Sequence, residues 1–233
     1  MSASRWDESV FTVQYREKPP YSYTKDGNPA GFLIERTIEI FKRANVKADF
    51  HEIPVKRITR DVKENASALC SPSWYKLPGL EANARFSLPV HQYKHHMVLV
   101  GAHMQDKLRS IENLKKLFAI PELRLGKVSG TSYGAELDTL ISMTAQTAMG
   151  STASSLGMAK MMKRKRTDYM LIDEKDYKFL NQQNEMDVED DKPVRFSDMP
   201  AGQMRCIMCN KSVSPDTMAR LDKAIAQIAP SVK

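Results

Sequence analysis

No stretch of this 233-residue chain is apolar for long. The longest run, about Met97 to Ala102, falls far short of the roughly 18 residues a spanning helix needs. The opening residues, Met1-Ser2-Ala3-Ser4-Arg5-Trp6-Asp7-Glu8, contain no apolar h-region, so the sequence as written shows no secretory signal. A mature secreted chain would begin in the same way. Cysteine is scarce, with only Cys70, Cys206 and Cys209. That excludes a small disulfide-framework fold and leaves at most one internal bridge plus one free thiol. Neither sign of charge dominates: 35 lysines and arginines face 28 aspartates and glutamates, for a net +7 that is scattered along the chain. Such a modest excess is no nucleic-acid footprint. With 42% apolar and 27% charged residues, the composition is globular and excludes a disordered or fibrous chain. No internal repeat or low-complexity tract is visible.

The chain alternates between two periods. Val10-Phe11-Thr12-Val13-Gln14-Tyr15 is β-branched and aromatic, as strands are, and leads into the turn residues Lys25-Asp26-Gly27-Asn28-Pro29. Ile34, Ile38 and Phe41 then follow at i, i+4 and i+7, the stripe of an amphipathic helix. Ala48–Ile53 alternates like a half-buried strand, Val55, Ile58 and Val62 fit a second helix, and Ala68-Leu69-Cys70 reads as a short strand. The middle of the chain repeats this logic. His96–Val100, Leu123–Val128 and Tyr169–Ile172 are strands. Ser110 is positioned to cap a helix carrying Ile111, Leu114, Leu117 and Phe118, and Ser155–Arg166 is a methionine-rich helix. An acidic loop spans Glu185–Asp191. Met204–Cys209 is a strand, and Ser214-Pro215 opens a last helix as N-cap and first residue, with Met218, Leu221, Ile225 and Ile228 on one face. Two α/β units result, with junctions near Pro89–Lys94 and Pro193–Pro200.

Four motifs carry possible chemistry. Gly130-Thr131-Ser132-Tyr133-Gly134 has the form of a hydrolase nucleophile elbow between a strand and a helix. That elbow needs a histidine later in the chain. All five histidines, His51, His91, His95, His96 and His103, precede Ser132. The segment reads instead as a glycine-bearing turn whose amides and hydroxyls face an anion at a helix N-terminus. Cys206-Ile207-Met208-Cys209 has redox or zinc spacing, but it lies in an apolar strand and only one further cysteine exists, so a structural role is expected. One of the pair bridges to Cys70 and the other is a buried thiol. His91, His95 and His96 have no nearby carboxylate and are expected not to hold a metal. Lys160, Lys163, Arg164, Lys165 and Arg166 fall at a helix C-terminus, where cations suit the macrodipole.

Several segments together resemble a known family. Pro19-Pro20-Tyr21-Ser22-Tyr23, Asp26–Phe32, Phe86-Ser87-Leu88-Pro89, Gly130-Thr131-Ser132, Thr167–Asp173 and Arg205–Cys209 follow the order and spacing of the family 3 extracellular solute-binding proteins. The resemblance covers nearly the whole chain. It implies the two-lobed type II periplasmic binding fold, an α/β architecture in which each lobe is a mixed sheet flanked by helices and a small ligand is held in the cleft between the lobes. The lobes would be residues 1–90 with 200–233, and 91–199. The resemblance places Lys18, Tyr21, Ser73, Trp74 and Tyr75 on the first wall and Thr131, Ser132 and Asp173 on the second. Asp173 stands where the family's acid holds a ligand ammonium. The family's carboxylate-clamping arginine position is held here by Leu80, and the threonine three residues earlier is Leu77. Lys76, counted with the ligand-binding residues, and Arg85 are the cations expected to stand in for that arginine, although neither matches by position.

The resemblance further implies that strands carrying Cys70 and Cys209 are neighbours, with a Cys70–Cys209 bridge and Cys206 buried and free; Cys70–Cys206 is the alternative pairing. It implies a periplasmic or otherwise extracytoplasmic, non-enzymatic, monomeric protein. Such a protein uses no cofactor, does not bind nucleic acid, and hands an amino-acid-like, amine-bearing or aromatic solute to an ABC-transporter permease. Two other readings stand beside it: a cyclohexadienyl-dehydratase-like enzyme on the same scaffold, and a sensor's ligand module.

Overall fold

The structure, a computed structural model, describes residues 10–144, 146–150, 154–182 and 192–228. The acidic segment Glu185–Asp191 lies outside the described residues. In chain order the elements begin with β1 (Phe11–Tyr15), β2 (Tyr23–Lys25), β3 (Asn28–Ala30), α1 (Phe32–Arg43), β4 (Ala48–Glu52), α2 (Val55–Glu64), β5 (Leu69–Trp74), α3 (Pro78–Glu81) and β6 (Ala84–Gln92). They continue with β7 (Met97–Val100), α4 (Gln105–Leu108), α5 (Leu114–Phe118), β8 (Arg124–Gly126), α6 (Ala135–Met143), β9 (Thr147–Met149), α7 (Ser155–Lys163), β10 (Tyr169–Ile172), α8 (Glu174–Gln182), β11 (Lys192–Val194), β12 (Met204–Asn210) and α9 (Pro215–Ile228). The chain divides into two units. The first holds the described residues up to Glu17, Tyr21–Gln92 and those from Met204 on; the second holds Lys18–Pro20 and Tyr93–Gln203.

The first unit is built on a five-stranded sheet in the order β4-β1-β5-β12-β6. β1 runs parallel to β4 and β5, whereas β12 is antiparallel to both β5 and β6. Apolar side chains cover both faces. Val13, Cys70, Ile207 and Cys209 meet α1 and α9 through Ile40, Phe41, Leu221 and Ile225. Leu69, Ala84 and Met208 meet α2 through Ile58 and Val62. The buried stripe of α1 is Leu33, Ile34, Thr37, Ile40 and Phe41. Ile38 falls off its edge and is 40% exposed, because the stripe centres on Thr37 rather than on the Ile34–Phe41 line. Ser214 Oγ accepts from Thr217 N at 3.1 Å at the start of α9. Cys70 and Cys209, partners in register, form the disulfide, and Cys206 is buried and free. Burial pushes the Cys206 thiol up.

The second unit has its own mixed sheet in the order β11-β7-β10-β8-β9. β10 is antiparallel to β7 and parallel to β8, and β8 is parallel to β9. Alternation sorts the side chains cleanly. Val98, Val100, Tyr169 and Leu171 join Leu114, Leu117 and Leu137 on one face; Met97, Leu99, Met170 and Ile172 join Met158, Met162 and Leu180 on the other. The methionines of α7 are thus core. The cap of α5 is Asn113, whose side chain accepts from Lys116 N at 2.8 Å, rather than Ser110. Residues 111–113 are not helical, so Ser110 lies too far upstream to reach the orphan amides. Ser154 caps α7 by accepting from Gly157 N at 3.0 Å. At the amino end of β10, buried Asp168 accepts from Arg124 N, Nε and NH2 and pairs with His103 Nε2. Burial alone would raise the Asp168 pKa, but these partners hold it below the ordinary carboxylate value.

Candidate functional site

Open α/β sheets take ligands beyond the carboxyl ends of their strands, where successive connections leave in opposite directions. In the first unit β1 connects outward to β4, whereas β5 lies on its other side. The carboxyl ends of β1 and β5 form that switch point, and the antiparallel β12 brings its amino end there. Ser73, Trp74, Tyr75 and Arg205 therefore gather at one end of the sheet. The sequence spacing suggested a strand ending at Cys70, but β5 continues to Trp74 through Ser71-Pro72-Ser73. A central strand tolerates Pro72 because the pairing register shifts opposite it, between Cys206 and Met208 of β12.

Each residue of this wall has a definite role in the packing. Ser73 adopts a left-handed φ of 70°, a strained conformation for a residue with a Cβ. Its hydroxyl is buried without a hydrogen-bond partner, while its carbonyl accepts from Arg205 NH1 at 3.2 Å. Trp74 is half-buried, donates from Nε1 to Ser71 Oγ at 2.7 Å, and lies with Leu80 and Phe86 against the Ile58–Met208 cluster. Tyr75 is buried and carries the Arg205 guanidinium over its ring, 3.2 Å from the centroid. Arg205 is only 4% exposed. Tyr21 is buried, with the Phe32 and His91 rings at centroid distances of 5.1 and 6.2 Å. Lys76 is exposed and paired with Glu81 at 3.2 Å, and Arg85 Nε donates to Val213 O at 3.1 Å.

In the second unit the carboxyl ends of β8 and β10 and the amino end of β7 lie together. Asp173 follows β10 and caps α8: its Oδ1 accepts from Lys175 N at 2.9 Å and Asp176 N at 3.0 Å. Its Oδ2 lies 3.5 Å from Lys18 Nζ, which also reaches Asp176 Oδ2 at 3.3 Å. The ammonium sits 5.0 Å from the Tyr93 ring centroid. Ser155 Oγ donates to Asp176 Oδ2 at 3.3 Å. Burial pushes Asp176 up to about 7, with Lys18 pulling it down and Asp173 adding to the rise. The Thr131–Gly134 turn carries a set of local hydrogen bonds. Thr131 N donates to Val128 O, Tyr133 N to Asp138 Oδ1, Gly134 N to Ser132 Oγ, and Ser132 Oγ to Asp138 Oδ2. Ser132 and the Tyr133 amide thus face the carboxylate of Asp138. Burial pushes Tyr133 up to about 12.

Two residues of these clusters escape a reading by motif. Asp176 carries the weak signal of standing one helical turn after Asp173. Arg205 stands out as the single charge in an otherwise apolar strand, Met204–Cys209. Among the described residues no group of three or more His, Cys, Asp or Glu side chains is arranged to hold a metal ion. No helix among them is long and apolar enough to cross a membrane.

The sequence model of the family described as bacterial extracellular solute-binding proteins, family 3, matches residues 11–231. Among curated proteins no sequence matches significantly. Several solved structures are similar in fold. An arginine-, lysine-, histidine-binding protein from Geobacillus stearothermophilus superposes with a TM-score of 0.72 at 12% identity, covering 94% of this chain and 88% of its own. A periplasmic His/Glu/Gln/Arg/opine family-binding protein from Silicibacter pomeroyi, solved with lysine, gives 0.71 at 13% identity over 94% and 90%. An ancestral amino acid-binding protein, a precursor of cyclohexadienyl dehydratase, gives 0.70 at 16% identity over 94% and 88%.

Proposed function

The chain belongs to the bacterial extracellular solute-binding proteins of family 3, and from that premise we propose that it captures an amino-acid-like, amine-bearing or aromatic solute outside the cytoplasm and presents it to an ABC-transporter permease. The observation that carries this reading is the family match over residues 11–231, which spans both sheets and all of the strand ends described above. The working form is a monomer without a nucleic-acid partner. Asp173 is the group for a ligand amine: its Oδ2 already engages a primary ammonium, that of Lys18, and an incoming amine would take the place of Lys18. Trp74 offers an aromatic edge for an apolar or cationic group.

Thermal-shift screening of the unmodified protein against amino acids, polyamines and aromatic metabolites tests the reading. A ligand at 100 times its Kd stabilises the native state by about 2.7 kcal/mol, an easily read rise in midpoint. Asp173→Ala should abolish that rise for an amine-bearing ligand. If no compound moves the midpoint, the reading is wrong.

A second reading, a dehydratase on the same scaffold, finds support in Asp176, a buried acid raised to about 7, which is where a general acid works best near neutrality. Incubation with prephenate or arogenate separates the two. Formation of a decarboxylated product favours the enzyme; unchanged substrate favours the binding protein.

A further inference from the structure

We propose that the basic run Lys163-Arg164-Lys165-Arg166 is a docking surface for an anionic lipid bilayer, held through the phosphates of its headgroups. This inference is separate from the solute-binding reading and needs no bound solute. All four side chains are exposed, between the buried Met162 and the buried Thr167. They lie where α7 stops and the chain turns into β10, at the amino end of that strand. Asp173 follows the carboxyl end, so the run and the amine group stand at opposite ends of β10.

The way the helix stops singles this run out. Lys165 N donates to Met162 O at 2.8 Å and Arg166 N to Met161 O at 2.9 Å. With Arg164 as the C-cap, these are the two bonds of a Schellman motif. Such a stop favours glycine at the left-handed position and an apolar residue just after it, packed back on the last turn. Here the left-handed position, at a φ of 56°, is Lys165, and the next residue is the exposed Arg166. Both departures cost stability, because a Cβ is disfavoured at positive φ and adjacent cations repel one another. The helix dipole does not account for them. It acts within the last turn, and Lys165 and Arg166 lie beyond it. Among the described residues none of the four side chains pairs with a carboxylate, and the nearby Asp168 is taken up by Arg124 and His103.

The kind of partner follows from what surrounds the charges. Protein interfaces are built on a central apolar or aromatic patch from which charge is depleted. This run offers none: Met162 is fully buried, and Met161 packs against the same core. A lipid surface asks for no fitted apolar patch, and clustered basic side chains are drawn to its anionic headgroups. Two guanidinium forks and two ammonium groups are suited to phosphate oxygens.

The test sediments the full-length protein with vesicles of phosphatidylcholine alone, or of phosphatidylcholine and phosphatidylglycerol in equal parts, at low ionic strength. Only the anionic vesicles should carry the protein down, and salt at about 1 M, where the Debye length is about 3 Å, should release it. Exchanging Lys163, Arg164, Lys165 and Arg166 together for glutamine should weaken binding at least tenfold. Exchanging four exposed lysines of the first unit, Lys25, Lys42, Lys56 and Lys63, removes the same charge and should change binding by no more than about twofold. Lys165→Gly is the sharper variant. Glycine suits the left-handed backbone, so this protein should melt higher than the parent and yet bind the vesicles about fivefold more weakly. A purely structural turn would give the rise without the loss, and that result overturns the proposal. It is overturned as well by no binding to anionic vesicles, or by equal losses from the two fourfold variants. Tighter binding to a soluble acidic peptide than to the vesicles would assign the run to a protein surface and overturn it too.

Discussion

The two units solve one problem in opposite ways. Each has a five-stranded mixed sheet with a charged group buried at the strand ends. In the first unit that group is Arg205, which keeps its charge at any physiological pH and is accommodated by an aromatic face and a carbonyl. In the second it is Asp176, a carboxylate that sheds its charge, because Lys18 is shared with Asp173 and cannot offset burial alone. Asp168 in the same unit sharpens the point. It is equally buried, yet hydrogen bonds from the Arg124 guanidinium, the Arg124 amide and the His103 ring hold its pKa below the ordinary carboxylate value. What decides whether a buried acid ionises is the number of donors aimed at it, and the two aspartates differ in that number.

The largest expected effect breaks the comparison at its covalent difference. The first unit has the Cys70–Cys209 bridge across a sequence separation of 139 residues. Replacing both cysteines with alanine should cost about 3–5 kcal/mol, read as lost amide-exchange protection in β5 and β12. Protection in β7 and β10 should be retained; an equal loss there would mean that the units unfold as one block. Next comes Lys18→Met, which leaves Asp173 and Asp176 without their shared cation. At pH 8 the expected loss is about 3 kcal/mol in chemical denaturation. At pH 5 it should be much smaller, because Asp176 is then neutral.

A smaller effect tests the sign of the Asp176 shift directly. Its folded pKa, about 7, lies above the ordinary aspartate value of 3.8. The folded protein therefore binds more protons than the unfolded chain between those values. The stabilisation from the neutral acid is full below about pH 4 and is lost as pH rises through 7. Asp176→Asn should flatten this fall. An unchanged pH dependence of the melting midpoint would show that Asp176 is not its source. The smallest effect is at a helix start: Ser154→Ala should cost about 1 kcal/mol, confined to the second unit, by leaving the Gly157 amide without its cap.

Much of the architecture was legible in the sequence because it rests on local periodicity. The stripe of α9, the strand His96–Val100 and the Ser214-Pro215 start all depend on near neighbours. What stayed hidden depends on distant ones. The Lys18–Asp173 contact joins residues 155 positions apart, and nothing in either segment announces the other. The extension of β5 was masked by Ser71-Pro72-Ser73, which has the composition of a turn; only the bulged partner strand makes room for that proline. The Gly130–Gly134 turn announced an anion, but not the hydrogen bonds that Ser132 and the Tyr133 amide make to Asp138, four residues beyond. Tyr21 was legible as an aromatic near the site, but not as one enclosed by Phe32 and His91.

The bridge between Cys70 and Cys209 also alters what a protease can do to this protein. Every residue from Tyr93 to Gln203 lies between the two cysteines. One cut anywhere in that interval opens the backbone, yet the two pieces remain a single covalent molecule. The nicked chain would keep its intact mass plus one water and would come apart only on reduction. Wherever proteases are abundant and reductants scarce, damage to the second unit is thereby kept from becoming loss of a fragment.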